Sequence, residues 1–216
     1  MAILDPPGRP LPVLRTSDTI AVEPDERIWR IYRQGGDHPV TWDQFRHVGP
    51  LATMRFDHHS PPRRLQDRGI LYGAIRRPPG EGRPAPEACL AEAFHDTRTI
   101  DPHDRTPWIV AFTPTAPLVL LDLTGAWPTR ANANQAISSG DRRRSRQWAQ
   151  AIYDDYPDLD GIHYTASNFG PGHSVAVFER ATDRMPSHPT FHRPLSDPGL
   201  RVMLDATADF LGYSLI

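Results

Sequence analysis

The body of this chain is a succession of short apolar segments separated by proline and glycine. Each segment is rich in β-branched, aliphatic or aromatic residues and ends at a turn-forming residue, which is typical of a β-strand. The predicted strands cover residues 27–33, 69–75, 107–113, 117–123, 160–165 and 173–180, with a further short strand at 52–57. Because strands outnumber helices and do not alternate regularly with them, the pattern favours a single mixed α+β domain over a doubly wound parallel sheet.

Three helices are expected among these strands. Pro86-Glu87 suits a first helical turn, and Asp197-Pro198 suits a cap followed by a first turn, with Gly212 as the stop. Between them, Trp148 and Ile152 recur at the spacing of a buried helix face. The expected helices cover about residues 86–97, 141–156 and 197–212, and segment 42–48 could add a short one.

Two segments are rich in proline and lack periodicity. Residues 1–24 contain five prolines and are interpreted as an arm that lies extended on the domain or is partly disordered. Residues 25–216 then form the folded domain, whose length suits one sizeable core. Residues 76–86 hold four prolines and two glycines and are expected to form a flexible loop.

Composition excludes several classes of function. The formal charge of −2 and the pI near 6.5 give no general basic field, so nucleic-acid binding is not expected. All 24 basic residues are Arg, which excludes a Schiff-base lysine and a Walker-type lysine. Any cation site must instead use a planar guanidinium that can bind anions with two parallel hydrogen bonds.

Cysteine content and hydropathy indicate a cytoplasmic protein. Cys89 is the only cysteine, so no intrachain disulfide can form, and its apolar surroundings favour a buried thiol over a nucleophile. No segment approaches the roughly 18 apolar residues of a membrane span. The first 20 residues have Asp and Pro where a signal peptide would have its apolar core.

The common catalytic motifs are absent from the sequence. It contains no GxGxxG after a strand, no GxxxxGK[ST], and no GxSxG, HExxH or CxxC. Ten histidines are present, and His58-His59 is the densest spot, but no spaced His or carboxylate completes a ligand set. We therefore expect no metal.

Five polar residues stand inside apolar strand or helix patterns, where an unpaired polar group costs free energy. They are Arg30 in IWRIY, Arg55 in LATMRFD, Tyr72 in GILYGA, Glu92 in ACLAEAF and Ser167 in GIHYTASNFG. Two arginines and a glutamate among them are what a site for an anionic ligand needs. The spacing of the five residues does not say whether they meet in space.

Each of these residues has a simpler structural interpretation. Glu92 could reach water from the edge of its helix, or could be held in a cleft and stabilise positive charge on a substrate. Arg30 and Arg55 could be ordinary exposed strand residues, or could clamp a pyrophosphate between them. Tyr72 could be a core aromatic residue or a ligand contact, and Ser167 could form a turn or bind a ribose hydroxyl or a phosphate.

Taken in order, the segments that carry these residues resemble the RES domain family, named for its Arg, Glu and Ser. The resemblance covers about residues 26–182. It rests on WRIYR, GPLATMRFD, LYGA, CLAEAF, LLDLTGAW and DLDGIHYTASNFGPGHSVAVFERA, in that order. Many members carry GGRW where this chain has TMRF, so the glycines that would loosen the backbone before Arg55 are missing.

The resemblance implies both a site and an activity. It assigns Arg30, Arg55, Tyr72, Glu92 and Ser167 as the functional residues, in a fold similar to that of the ADP-ribosyltransferase toxins. It implies NAD as the substrate, with Glu92, Arg30 and Ser167 in catalysis, and Arg30, Arg55, Tyr72 and Ser167 in binding.

The family's members are toxins of two-gene modules, so the resemblance also implies a small Xre-type antitoxin as partner. The acceptor of ADP-ribose stays open between inorganic phosphate, water and a protein. Besides an NAD-degrading toxin, two alternatives remain: a protein ADP-ribosyltransferase that uses the same pocket, and a non-catalytic interaction module.

Overall fold

The computed structural model describes residues 4–47, 54–60, 62, 65, 67–78 and 84–216. Its main element is a mixed eight-stranded sheet, and the expected α+β fold is confirmed. The strands are β1 (Thr19–Val22), β2 (Ile28–Arg33), β3 (Ile70–Ile75), β4 (Thr99–Ile100), β5 (Pro107–Phe112), β6 (Leu118–Asp122), β7 (Gly161–Thr165), β8 (His173–Phe178), β9 (Phe191–Pro194) and β10 (Ser214–Leu215). The order in the large sheet is β1-β6-β7-β8-β3-β2-β5-β9, and β4 and β10 form a separate pair.

Neighbouring strands of the large sheet are antiparallel except for β6 and β7, which are parallel. The six principal strands predicted from the sequence are all present. The edge strands β1 and β9 were not predicted.

Helices pack on one face of this sheet. They are α1 (Ala85–Ala93), α2 (Trp127–Arg130), α3 (Ala136–Ser139), α4 (Arg142–Asp155) and α5 (Arg201–Leu211). The carboxylate of Asp141 caps α4 by accepting from the backbone N–H of Arg143, and Asp197 caps the short 3-10 turn that leads into α5. Gly212 ends α5 with a φ of 65°, as expected. The first helix is shorter than predicted and ends at Ala93.

Two short predicted elements are wrong in the described residues. A strand is expected at 52–57 from the sequence, but a turn lies at residues 55 and 56. The Asp57 carboxylate closes this turn by accepting from the N–H of Met54 at 3.0 Å. Residues 52 and 53 lie outside the described residues. In place of a helix at 42–48, residues 42–47 hold a turn and a β-bridge, because Arg46 exchanges both backbone hydrogen bonds with Ile70. Residue 48 also lies outside the described residues.

The proline-rich N-terminal segment packs against α4 over its first described residues. Leu4 and Leu11 are buried in the same cluster as Trp148, whose indole N–H donates to the carbonyl of Asp5 at 2.8 Å. The hydroxyl of Tyr156 donates to the carbonyl of Pro12 at 2.6 Å. Within the loop predicted at 76–86, residues 79–83 lie outside the described residues.

The large sheet opens between β2 and β3. These two strands share a single residue pair, Trp29 with Ala74, whereas each pairs over six residues with its other neighbour. At the contact the backbones are so close that a Cβ on Gly73 would lie 2.6 Å from Cγ2 of Ile28 and 2.9 Å from the carbonyl oxygen of Trp29. Beyond this pair the strands separate and leave a gap that α1 covers from one side.

Gly161 gives a test of how tightly the central strands are packed. We expect Gly161→Ala to lower the free energy of unfolding by about 1–3 kcal/mol, because the new methyl would overlap the carbonyl oxygen of Ala176 and lie 3.0 Å from Cα of Val177. Gly8→Ala is the matched control, since no atom lies within 4 Å of its added Cβ. Urea unfolding measures both, and equal stability of the two variants would contradict the strand packing described here.

Candidate active site

A cavity of about 320 Å³ lies where β2 and β3 separate. Its walls come from β2, β3 and α1, and its rim includes the loop after β7 and the first residue of α4. Of the five residues selected from the sequence, Arg30, Tyr72 and Glu92 line this cavity.

Glu92 is an exposed carboxylate at the cavity rim, near the end of α1. Oε1 accepts from the backbone N–H of Asn168 at 2.8 Å, and Oε2 accepts from the side-chain amide of the same residue at 3.0 Å. The loop that carries Asn168 is fixed because Ala166 and Phe169 pack against α1 next to Ala88. The carboxylate is therefore held in one orientation while it remains open to solvent.

Arg30 extends from β2 on the face opposite Trp29, which packs against α1. Its Nη1 donates to the carbonyls of Trp42 and Gln44 at 2.8 and 3.2 Å. Burial lowers the pKa of Arg30 to about 10, so the guanidinium is still charged at neutral pH. Within the described part of the chain Arg30 forms no ion pair, and the acceptors of its guanidinium are neutral carbonyl oxygens.

Arg55 lies beside the cavity, in the turn after Met54. Its Nε donates to Oγ of Ser167 at 2.9 Å, and Nη1 donates to the carbonyl of Gly140 at 2.7 Å and to Oγ of Ser145 at 3.3 Å. All three acceptors are neutral. Burial lowers the pKa of Arg55, which is the expected effect of removing a cation from water without a carboxylate to pair with it.

Ser167 is the link between Arg55 and helix α3. Its hydroxyl donates to the carbonyl of Ser138 at 2.8 Å while it accepts from Arg55. This is more than a turn-forming role, because the hydroxyl fixes the direction of a guanidinium.

Tyr72 is anchored by a buried acid. Its hydroxyl donates to Oδ1 of Asp57 at 3.0 Å and accepts from the backbone N–H of Phe56 at 3.0 Å. Burial, followed by the charge of Asp57, raises the pKa of Tyr72 well above its usual value, so the phenol stays protonated. Asp57 also receives a hydrogen bond from Arg46 at 3.2 Å, so one carboxylate holds Tyr72 and the turn that carries Arg55.

The structure thus brings all five residues into one region in two groups. Arg30, Tyr72 and Glu92 line the cavity, and Arg55 and Ser167 are hydrogen-bonded to each other beside it. The groups are connected, because Phe56 follows Arg55 and binds Tyr72, and Asn168 follows Ser167 and binds Glu92.

Sequence reasoning missed several residues of this site. Tyr164 lines the cavity from β7, and burial raises the pKa of its phenol. Strand alternation with Ile162 could have placed it on the helix-covered face.

Asn168 and Asp57 could have been noticed only as neighbours of Ser167 and Arg55. Arg33 and Arg142 also line the cavity, but arginines in polar surroundings give no distinct signal.

The charges of the cavity favour an anionic ligand. Arg30, Arg33 and Arg142 line it, with Arg55 beside it, against the acids Glu92 and Asp96. Guanidinium groups that lack carboxylate partners bind phosphate oxygens well.

Among the described residues no group of three or more His, Cys, Asp or Glu is arranged to hold a metal ion. No described helix is long and apolar enough to cross a membrane.

Comparison with known proteins identifies the family. The model of the RES domain matches residues 27–200. A chain in the crystal structure of the M. tuberculosis MbcT-MbcA toxin-antitoxin complex has a similar fold, with a TM-score of 0.53 and 16% sequence identity. The similarity covers 86% of this chain and 92% of that chain. No curated protein gives a significant sequence match. Because the RES model spans most of the sequence and agrees with the order of motifs found in it, this chain belongs to the RES domain family.

Proposed function

We propose that this protein is the toxin of a toxin–antitoxin module and that it cleaves the nicotinamide–ribose bond of NAD. The observation that carries the proposal is the placement of Glu92. Its carboxylate stands at the rim of a cavity lined by arginines, with both oxygens oriented by Asn168. The RES family supports a toxin that acts on NAD, and the similar fold in a toxin–antitoxin complex supports the modular setting.

In this proposal Glu92 stabilises the transition state. When the bond between the ribose anomeric carbon and the nicotinamide nitrogen breaks, its electron pair leaves with neutral nicotinamide and positive charge develops on the ribose. A carboxylate close to that carbon lowers the energy of the oxocarbenium-like state. Because Asn168 already holds the carboxylate, little reorganisation is needed during the reaction.

The arginines and Tyr72 bind the rest of the substrate in this account. Arg30 acts on the pyrophosphate from β2, in the cavity lining, and Arg55 acts on it from beside the cavity, in the turn after Met54. Tyr72 stays protonated and offers its ring to the ligand, since its hydroxyl is engaged with Asp57 and the N–H of Phe56. Ser167 orients Arg55, and its oxygen has a second lone pair available for a ligand group.

A small antitoxin of the Xre type is the proposed partner, because an enzyme that consumed NAD without control would kill its host. The exposed rim at Glu92 gives such a partner access to the cavity mouth. Co-expression with the neighbouring open reading frame should relieve growth arrest and give a stable complex. Harmless expression of the protein alone, with constant cellular NAD, would contradict the toxin role.

The reaction itself can be tested directly. Purified protein incubated with NAD should release nicotinamide, and Glu92→Gln should lower the rate by about 10²–10³, because it removes the charge that the transition state needs. Product analysis with and without inorganic phosphate distinguishes phosphorolysis from hydrolysis, and a modified protein band would indicate ADP-ribosyl transfer.

Glu23→Gln is the control for this substitution, since Glu23 is exposed and does not line the cavity. A folded Glu92→Gln variant with the turnover of wild type would exclude the proposed role of Glu92.

A separate prediction concerns the two arginines. Arg55→Lys and Arg30→Lys should each raise the KM for NAD by about tenfold or more, because an ammonium cannot reproduce the fixed fork of a guanidinium. For Arg55 the fork is already engaged with Ser167 and Gly140, so a lysine would also lose its orientation. Steady-state kinetics measure the effect, with the exposed Arg27→Lys as control. Unchanged KM values in both variants would show that neither guanidinium binds the substrate.

A further inference from the structure

Arg142 is a cavity residue for which the packing of the chain gives no structural explanation. It is the first residue of α4, it is exposed, and it lines the cavity. Among the residues that the structure describes, its guanidinium forms no hydrogen bond and no ion pair. A ligand that binds this guanidinium therefore displaces no partner among the described residues.

Arg142 stands close to Arg55. Nη1 of Arg55 donates to the carbonyl of Gly140, two residues before Arg142, and the positive charge of Arg142 acts together with burial to lower the pKa of Arg55. In the described part of the chain Nη2 of Arg55 has no partner, and the side chain is half-buried. The two side chains therefore act on each other electrostatically, and each has guanidinium donors without a partner among the described residues.

No carboxylate among the described residues neutralises this pair. Glu92 is the acid that acts electrostatically on Arg55, but both of its oxygens are bound to Asn168, and it forms no ion pair with either arginine. Two like charges in a partly buried site repel each other, and an anion with several oxygens placed between them removes the repulsion and gains charge-assisted hydrogen bonds. A phosphate group has the charge and the geometry for this.

We propose that Arg142 is a further ligand-binding residue, which together with Arg55 holds a phosphate group at this end of the cavity. The inference rests on the proposed function in that the phosphate belongs either to the bound nucleotide or to free inorganic phosphate used as acceptor. In both cases the recognised chemistry is the same: an anionic phosphate group, either free or part of a pyrophosphate, between two guanidinium groups.

The chain supplies a matched control next to the proposed residue. Arg143 is also exposed and also forms no side-chain hydrogen bond or ion pair with a described residue, but it does not line the cavity. Arg142→Gln and Arg143→Gln change the net charge equally and lie one position apart in α4. Neither side chain contributes to the core, so both variants are expected to keep the thermal stability of the parent.

The experiment measures binding of ADP-ribose and of inorganic phosphate by calorimetry, for wild type and both variants. Arg142→Gln should weaken the binding of at least one probe by about tenfold, and added salt should reduce the difference, because the residue is exposed. Arg143→Gln should bind both probes as wild type does. If Arg142→Gln weakens the binding of ADP-ribose alone, Arg142 binds a phosphate of the nucleotide. If it weakens the binding of inorganic phosphate alone, Arg142 binds the phosphate that serves as acceptor.

Two other outcomes would overturn the proposal. If Arg142→Gln binds both probes as tightly as Arg143→Gln, Arg142 is not a ligand-binding residue. If wild type binds neither probe, the cavity is not a phosphate site. The binding result is independent of catalysis: wild type that binds ADP-ribose but leaves NAD intact would contradict the proposed reaction and leave the role of Arg142 standing.

Discussion

The separation of β2 from β3 creates the cavity on which the rest of the site depends. The two strands touch at Trp29 and Ala74 and then diverge, although each is fully paired on its other side. A sheet that opens in its middle exposes side chains and backbone groups of two strands to the same space. The structure fills part of this gap with α1, whose Cys89 donates to the carbonyl of Trp29 at 3.2 Å, and leaves the remainder as the cavity.

The electrostatics of the cavity follow from how its arginines are held. Arg30 and Arg55 are oriented by carbonyl and hydroxyl oxygens, which fix a guanidinium without cancelling its charge. In contrast, the carboxylate of Asp57 is engaged with Tyr72 and Arg46 and forms no ion pair with these two cations among the described contacts. The fold therefore maintains a fixed positive region beside one oriented carboxylate, a combination that suits an anionic substrate whose reacting carbon becomes positive.

The sequence predicted the principal strands because their alternation is a local property, but edge elements depend on tertiary pairing. Phe191–Pro194 becomes a strand only because β5 is adjacent. Residues 42–47 have apolar residues at helical spacing, yet the backbone of Arg46 pairs with Ile70, and Phe45 packs into the cluster on the sheet face opposite the helices. Tertiary contacts decided both cases.

In the site, too, the sequence reveals a residue only where the local pattern around it is unusual. Glu92 could be selected because a charged residue in an apolar helix pattern is conspicuous. Arg142 could not be selected, because it stands in SSGDRRRSR, a polar run that resembles an ordinary solvated surface.

The most direct test of the whole account is a crystal structure with an NAD analogue whose nicotinamide–ribose bond cannot be cleaved. The account predicts the pyrophosphate against Arg55 and the nicotinamide ribose beside Glu92; the analogue bound elsewhere on the chain, with this cavity empty, would contradict it.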